Sequence, residues 1–134
     1  MSDLPAPAPI VSPEARPFWE AAGEGRLLLQ RCGSCATTVW YPRGVCPACG
    51  STQLEWYEGS GRGTVYSYTV NRRGMGEYRD AAPFVLAYVE LEEGPRVLTN
   101  VVDCDPESVR IGDAVTAVFD PAGDGTGLLR FRPA

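Results

Sequence analysis

Four of the five cysteines form two knuckles of the same spacing, Cys32-Gly33-Ser34-Cys35 and Cys46-Pro47-Ala48-Cys49, with ten residues between them. Two residues between cysteines let one tight turn aim both thiolates at a single tetrahedral ion ~2.3 Å away, and a second such turn completes four ligands. Gly33 and Gly50 are the expected points where the backbone curls beneath the sulfurs. The spacing therefore predicts one zinc ion per chain, held by Cys32, Cys35, Cys46 and Cys49. With all four positions filled by protein, none is open to water or substrate, and the metal serves folding rather than catalysis. Disulfides or a dithiol redox motif are the competing uses of such cysteines in other compartments. An iron ion in the same geometry is a further alternative.

Little else in the chain can do chemistry. Histidine is absent, which removes the commonest general base and every histidine-containing triad, and leaves carboxylates, tyrosine, cysteine and arginine. The fifth cysteine, in Val102-Asp103-Cys104-Asp105, sits among carboxylates that disfavour its thiolate, so it reads as a bystander. The expectation is a chain that is not catalytic alone. Its 17 acids oppose 12 bases, every base an arginine, for a net charge of −5. A protein that gained affinity by neutralising phosphates would carry a basic excess, so the charge argues against nucleic acid as a partner. No apolar run approaches the ~20 residues that span a bilayer, and the first ten residues lack the charged and apolar regions of a secretory signal. No membrane role and a cytoplasmic location are the resulting expectations.

Residues 1–25 are expected to form an N-terminal arm and a short helix. The Pro/Ala alternation of residues 1–12 favours an extended tail, open to ordering by a partner. Ser12 before Pro13 looks like an N-cap with a first-turn proline, and Phe18, Trp19 and Ala22 recur at helical spacing until Gly23. This places a helix near 13–22, or one that starts only at Pro17, because a proline past the first turn clashes with a preceding carbonyl. Residues 26–60 are the ribbon, entered by Leu27-Leu28-Leu29 and left by Leu54-Glu55-Trp56-Tyr57. Gly59 to Gly63 reads as a hinge, and residues 61–134 then follow the β period. Strands are predicted at 64–71, 84–92, 96–102, 114–119 and 127–132. Five short strands fit a barrel of the OB type.

Both alternating faces of Phe84-Val85-Leu86-Ala87-Tyr88-Val89 are apolar, so something is expected to cover the outside of that strand. The strand from Thr64 to Val70 places Tyr66, Tyr68 and Val70 on one side. Packing against the helix bearing Phe18 and Trp19, base stacking, or a protein interface would each use these aromatics. The loop from Asn71 to Asp80 is the one locally basic segment, and its Arg72, Arg73 and Arg79 offer forks for a phosphate such as those of coenzyme A, for a partner, or simply for solvent.

These residues resemble, over most of the chain, a bacterial and archaeal family of rubredoxin-like zinc ribbons joined to OB folds, long known only as a domain of unknown function. The resemblance rests on Phe18-Trp19, on Gln30-Arg31-Cys32 with Cys35, and on Tyr41-Pro42-Arg43 ahead of Cys46-Pro47-Ala48-Cys49-Gly50. It continues in Gly61-Arg62-Gly63-Thr64-Val65-Tyr66-Ser67-Tyr68, Pro83-Phe84-Val85, Gly94-Pro95-Arg96 and Ile111-Gly112-Asp113-Ala114-Val115. It implies a mainly β fold: a short N-terminal helix, a rubredoxin-like zinc ribbon and a five-stranded OB-fold barrel. It also implies an accessory subunit of a thiolase-superfamily acyl-CoA enzyme. The nearest likeness is to the accessory domain of steroid side-chain degrading aldolases. There a lipid-transfer-protein-like thiolase homologue holds the catalytic groups, in a heterotetramer and in some cases with a MaoC-like hydratase. Acetoacetyl-CoA thiolase/hydroxymethylglutaryl-CoA synthase assemblies are the alternative partners, and a single-strand nucleic-acid-binding OB module is the alternative role that ribbon-plus-barrel architecture alone suggests. On this resemblance, Arg43, Arg72, Arg73 and Arg79 are candidates to meet coenzyme A phosphates or the partner. Phe18, Trp19, Tyr66, Tyr68, Phe84, Leu86 and Tyr88 are candidates for the interface.

Overall fold

In the computed structural model, which describes residues 2–134, α-helix is confined to one stretch, α1 (Arg16–Gly23), preceded by a 3-10 turn over Pro13–Ala15. Of the two expected starts the later is the nearer. Pro17 occupies the first turn of α1, where a missing N–H leaves no bond unmade, and the Ser12 side chain makes no cap bond. Phe18, Ala21 and Ala22 form the buried face.

The ribbon centres on β1 (Leu28–Cys32), flanked antiparallel by β2 (Thr38–Val39) and β3 (Leu54–Glu58). At two residues, β2 is too short to show a period, and it is absent from the sequence-based expectation. Five strands then close a barrel: β4 (Arg62–Asn71), β5 (Phe84–Leu91), β6 (Arg96–Val101), β7 (Ala114–Pro121) and β8 (Gly127–Pro133), in the order β4-β5-β6-β8-β7 with β7 back on β4. Only the β6–β8 seam is parallel. All five strands lie where alternation placed them, with ends shifted by one or two residues.

Val65, Val85, Val89, Val97, Val115 and Phe131 fill the barrel, and each such buried side chain contributes about 1.5–3 kcal/mol. Phe18, Leu27 and Leu29 belong to the same cluster, with Trp40, Trp56 and Tyr57 packed on it, so one core runs from helix and ribbon into the barrel. The ribbon's own cluster is only Cys32, Val39 and Cys46, with Leu54 against them. Helix α1 lies on β8, β7 and β1. The approach is close: a Cβ on Gly127 would stand 2.5 Å from the carbonyl oxygen of Ala22, so only glycine fits there.

Two expectations need correction. Tyr66, Tyr68 and Val70 do not share a face, because a β-bulge between Val65 and Ser67 shifts the register against β5. Tyr68 and Val70 pack against the core, while Tyr66 is 48% exposed with the Arg96 guanidinium 3.8 Å above its ring. Helix α1, on the β8 side, leaves the exposed Tyr66 and Tyr88 uncovered.

The second correction concerns residues 1–12, expected as a tail. Met1 lies outside the described residues, but Ser2 to Pro5 are fastened to the barrel. The Ser2 N–H donates to Asp120 Oδ1 at 2.8 Å, and its hydroxyl donates to Asp120 Oδ2. Arg130 Nη1 is paired with the same carboxylate, while Nη2 donates to the Pro5 carbonyl at 2.6 Å and to the Tyr78 hydroxyl at 3.1 Å. Arg130 and Asp120 are 2% and 3% exposed, so a fully buried ion pair sits under the arm with polar contacts on both partners. Alternation could not reveal this, because one arginine in an apolar strand looks the same whether it points inward or outward.

Candidate functional site

The two knuckles bring four Sγ atoms within 4.8 Å of one another. Cys32 and Cys49 are 3.6 Å apart, and Cys35 and Cys46 are 3.7 Å apart. The edge of a tetrahedron with Zn–S bonds of ~2.3 Å is ~3.8 Å, so the donor set fits one zinc ion. The backbone supplies a further feature of such sites. N–H groups of Cys35 and Ser34 point at Cys32 Sγ from 3.5 and 3.4 Å and pull its thiol down to about 6, favouring the thiolate that a metal needs. Cys32 and Cys46 are buried and Cys35 and Cys49 exposed, so the ion would sit at the ribbon's edge with its inner ligands in the small core.

The turn chemistry differs slightly from expectation. Gly50, at φ +78°, does take the left-handed conformation after the second knuckle, but in the first knuckle Ala36 takes it at φ 64°, and not Gly33. Gly33 instead lets its strand approach Gln53, whose carbonyl oxygen accepts its N–H at 2.6 Å. Between the knuckles, the buried Gln30 exchanges two 2.9 Å hydrogen bonds with the backbone of Arg43, which fixes the Trp40–Arg43 loop against β1. A polar residue in a strand with an apolar inner face was the available signal for this role.

That loop completes an aromatic cluster. Phe18 meets Trp19 and Trp40 edge to face at 5.0 and 5.3 Å, and Trp19 Nε1 donates to the Tyr41 hydroxyl at 2.8 Å. Trp19, Trp40 and Tyr41 form one wall of a cleft of about 440 Å³, with Leu86, Leu98 and Leu129 on the barrel side. Of the expected interface residues, Phe18 is buried, Tyr68 is partly buried against the core, and Phe84 is half-buried against Tyr78. Tyr88 is 46% exposed beside Leu98, which is 58% exposed and was not anticipated.

The candidate arginines are not alike. Arg43 turns back on the carbonyls of Tyr41 and Trp40, and Arg72 is paired with Glu107 at 2.6 Å. Among the described residues, Arg73 and Arg79 have neither an ion pair nor a side-chain hydrogen bond. Burial, with the carboxylates of Asp105, Asp103 and Asp113, pushes the Cys104 thiol up, away from a reactive thiolate. Cys104→Ser is therefore expected to leave zinc content unchanged and to move the unfolding midpoint by less than ~1 kcal/mol in stability, as read by metal analysis and urea titration.

Two family models match end to end: the ChsH2 rubredoxin-like zinc ribbon domain over residues 19–55 and the ChsH2 C-terminal OB-fold domain over residues 56–120. The chain belongs to the ChsH2/DUF35 family. Relatives in this family include a DUF35 domain-containing scaffold protein of Methanothermobacter thermautotrophicus, 44% identical over 66% of this chain and 68% of that one. A scaffold protein of the same description from Methanocaldococcus jannaschii is 43% identical over 80% and 81% of the two chains. A probable enoyl-CoA hydratase alpha subunit of Thermomonospora curvata is 38% identical over 96% of this chain, which spans only 40% of that protein. Among solved structures, a chain of the Ltp2-ChsH2(DUF35) aldolase superposes with a TM-score of 0.83 at 36% identity, covering 94% of this chain and 98% of that one. No helix of the described residues is long and apolar enough to cross a membrane.

Proposed function

We propose that the chain is a non-catalytic accessory subunit of a thiolase-superfamily acyl-CoA enzyme, and that this enzyme is a retro-aldolase for 3-hydroxyacyl-CoA side chains of steroids. The observation that carries the reading is the match, over 94% of this chain and 98% of the other, to a chain of the Ltp2-ChsH2(DUF35) aldolase. The chain's own inventory supports it: no histidine, a metal site whose four positions are taken by cysteines, and a fifth cysteine held as a thiol. In the proposed reaction a base on the partner removes the 3-hydroxyl proton and the C2–C3 bond breaks. Its electron pair is held as the thioester enolate until an acid on the partner returns a proton to C2. The products are a ketone or aldehyde and a shorter acyl-CoA. This chain would cover apolar surface of the partner and hold its active shape, in an assembly of two copies of each. Arg73 and Arg79 are its candidates for a coenzyme A phosphate or an acidic partner rim.

The steroid assignment is supported by a Mycobacterium tuberculosis relative, a 3-oxo-4,17-pregnadiene-20-carboxyl-CoA hydratase alpha subunit, 33% identical over 76% of this chain. This chain spans 32% of that protein, so a companion hydratase, of the MaoC-like kind, is part of the proposal. The archaeal relatives are described as scaffold proteins, a role that suits a second reading as well, support of a thiolase and hydroxymethylglutaryl-CoA synthase pair. Mixing the chain with a thiolase-like subunit of its own organism and following 3-hydroxyacyl-CoA cleavage tests both. Turnover is expected from the mixture alone. Turnover by this chain by itself, or full partner activity without it, would defeat the accessory role, and condensation without cleavage would favour the second reading.

A further inference from the structure

Helix α1 and the Trp40–Arg43 loop stand over the outside of the barrel, and the space between is the cleft of about 440 Å³. Its barrel wall is apolar because Val85, Ala87, Val89 and Val97 turn into the core, which leaves Leu86 and Leu98 facing out, with Leu129 beside them. The opposite wall is Trp19, Trp40 and Tyr41. That wall is rigid before anything binds. Phe18 is buried against Trp19 and Trp40, Trp40 meets Tyr41 edge to face at 5.5 Å, and the Gln30–Arg43 hydrogen bonds hold the loop. The cleft carries no free charge, since Arg130 at its edge is balanced by Asp120. Of its other polar side chains, Thr99, Asn100 and Tyr78 donate to the carbonyls of Leu129, Val85 and Pro5. Among the described residues, the Tyr41 hydroxyl accepts from Trp19 and donates to no other group.

We infer that this cleft binds a flat, uncharged, fused-ring molecule that carries a carbonyl oxygen, and that in the assembly it receives the ring system of the steroid acyl-CoA, an inference that rests on the retro-aldolase reading. A preformed, mostly apolar cleft of this volume is of the size and lining of small-molecule sites. The rigidity of its walls selects the class. A fused ring system has no internal rotations to lose on entering, whereas a flexible acyl chain would have each of its bonds ordered. An anionic ligand finds no unpaired cation in the cleft of a protein whose net charge is −5. A carbonyl oxygen accepts the spare Tyr41 proton, which fixes one end of the ligand on an otherwise apolar wall. The retro-aldol step leaves the rings on the ketone product, so one cleft serves substrate and product alike while the thioester lies with the partner's catalytic groups.

Progesterone, an uncharged steroid diketone, is the probe, added to the zinc-loaded chain without a partner. Equilibrium dialysis is expected to find one saturable site per chain. The indole N–H resonances of Trp19 and Trp40 should move with its filling, while that of Trp56, outside the cleft, stays in place. Leu98→Asp, at a position 58% exposed, should weaken binding at least ~10-fold by setting a charge in the apolar wall, and Tyr41→Phe about fivefold by removing the donor. Dodecanol, flexible and equally uncharged, should bind at least ~10-fold more weakly than progesterone. No saturable binding, unmoved Trp19 and Trp40 signals, indifference to Leu98→Asp, or dodecanol bound as tightly would each overturn the ring site. A chain that binds no steroid yet supports cleavage of a ring-free 3-hydroxyacyl-CoA by the mixed subunits defeats the cleft alone. One that binds steroid but supports no cleavage defeats the accessory role and leaves the binding site standing.

Discussion

Cys46→Ser is expected to abolish stoichiometric zinc binding and to unfold residues 26–60. Structural zinc sites of this kind contribute an apparent ~10–16 kcal/mol, and removing one of four thiolates takes a large part of it. The ribbon has nothing to replace that energy, because its own core is Val39, Leu54 and two of the ligands themselves. The loss should also reach the barrel, since Leu27 and Leu29 sit in the barrel's core and Trp40, Trp56 and Tyr57 pack on it. Metal analysis should fall from one zinc per chain to none, and the thermal transition should drop by more than ~10 °C. A Cys46→Ser or Cys32→Ser chain that keeps its zinc and its midpoint would rule out the four-thiolate site.

Arg130→Met is expected to be the most destabilising change outside the ribbon, by about 3–5 kcal/mol, because it leaves the Asp120 carboxylate buried without its counter-charge. The arm should come free with it, since Arg130 also holds the Pro5 carbonyl. Limited proteolysis should then cut between residues 2 and 12 faster than in the unaltered chain. The same network has an acid signature. Burial raises the Asp120 carboxyl, but the Ser2 hydroxyl and N–H together with Arg130 outweigh it and hold the group below its ordinary value. With the folded value below the unfolded ~3.9, the stabilisation is fully present above that pH and is lost as pH falls through the folded value. Asp120→Asn should therefore flatten the acid limb of the stability profile. An Arg130→Met chain within ~1 kcal/mol of the parent, with the arm still protected, would show that the pair does not fasten it.

The metal site was legible because its information is local: two cysteine pairs at fixed spacing define the ligands whatever surrounds them. The strands were legible because short runs rich in valine, tyrosine and phenylalanine are set off by turns such as Gly94-Pro95 and Arg110-Ile111-Gly112-Asp113, even in β5, where both faces are apolar. What the sequence hid depends on long-range meetings. The contact of Arg130 with Ser2 and Pro5 joins residues more than a hundred positions apart, and nothing near either end marks the other. The bulge at Tyr66 was hidden for a different reason, since one extra residue in a strand leaves the composition unchanged while reversing every later side chain. The cleft walls combine both difficulties, drawing Trp19 from the helix, Trp40 from the ribbon and Leu98 from the barrel.

The two family models meet between residues 55 and 56, inside β3, and just there Trp56 and Tyr57 lean on the core that Phe18, Leu29 and Val89 share. A cut at that junction would sever a strand from its ladder and strip apolar side chains from both halves. A ribbon or a barrel moved singly would leave that shared apolar surface bare to water, so the two are expected to travel as a pair. The Thermomonospora relative is in keeping with this: the aligned stretch, 96% of this chain and so both ribbon and barrel, makes up 40% of that protein.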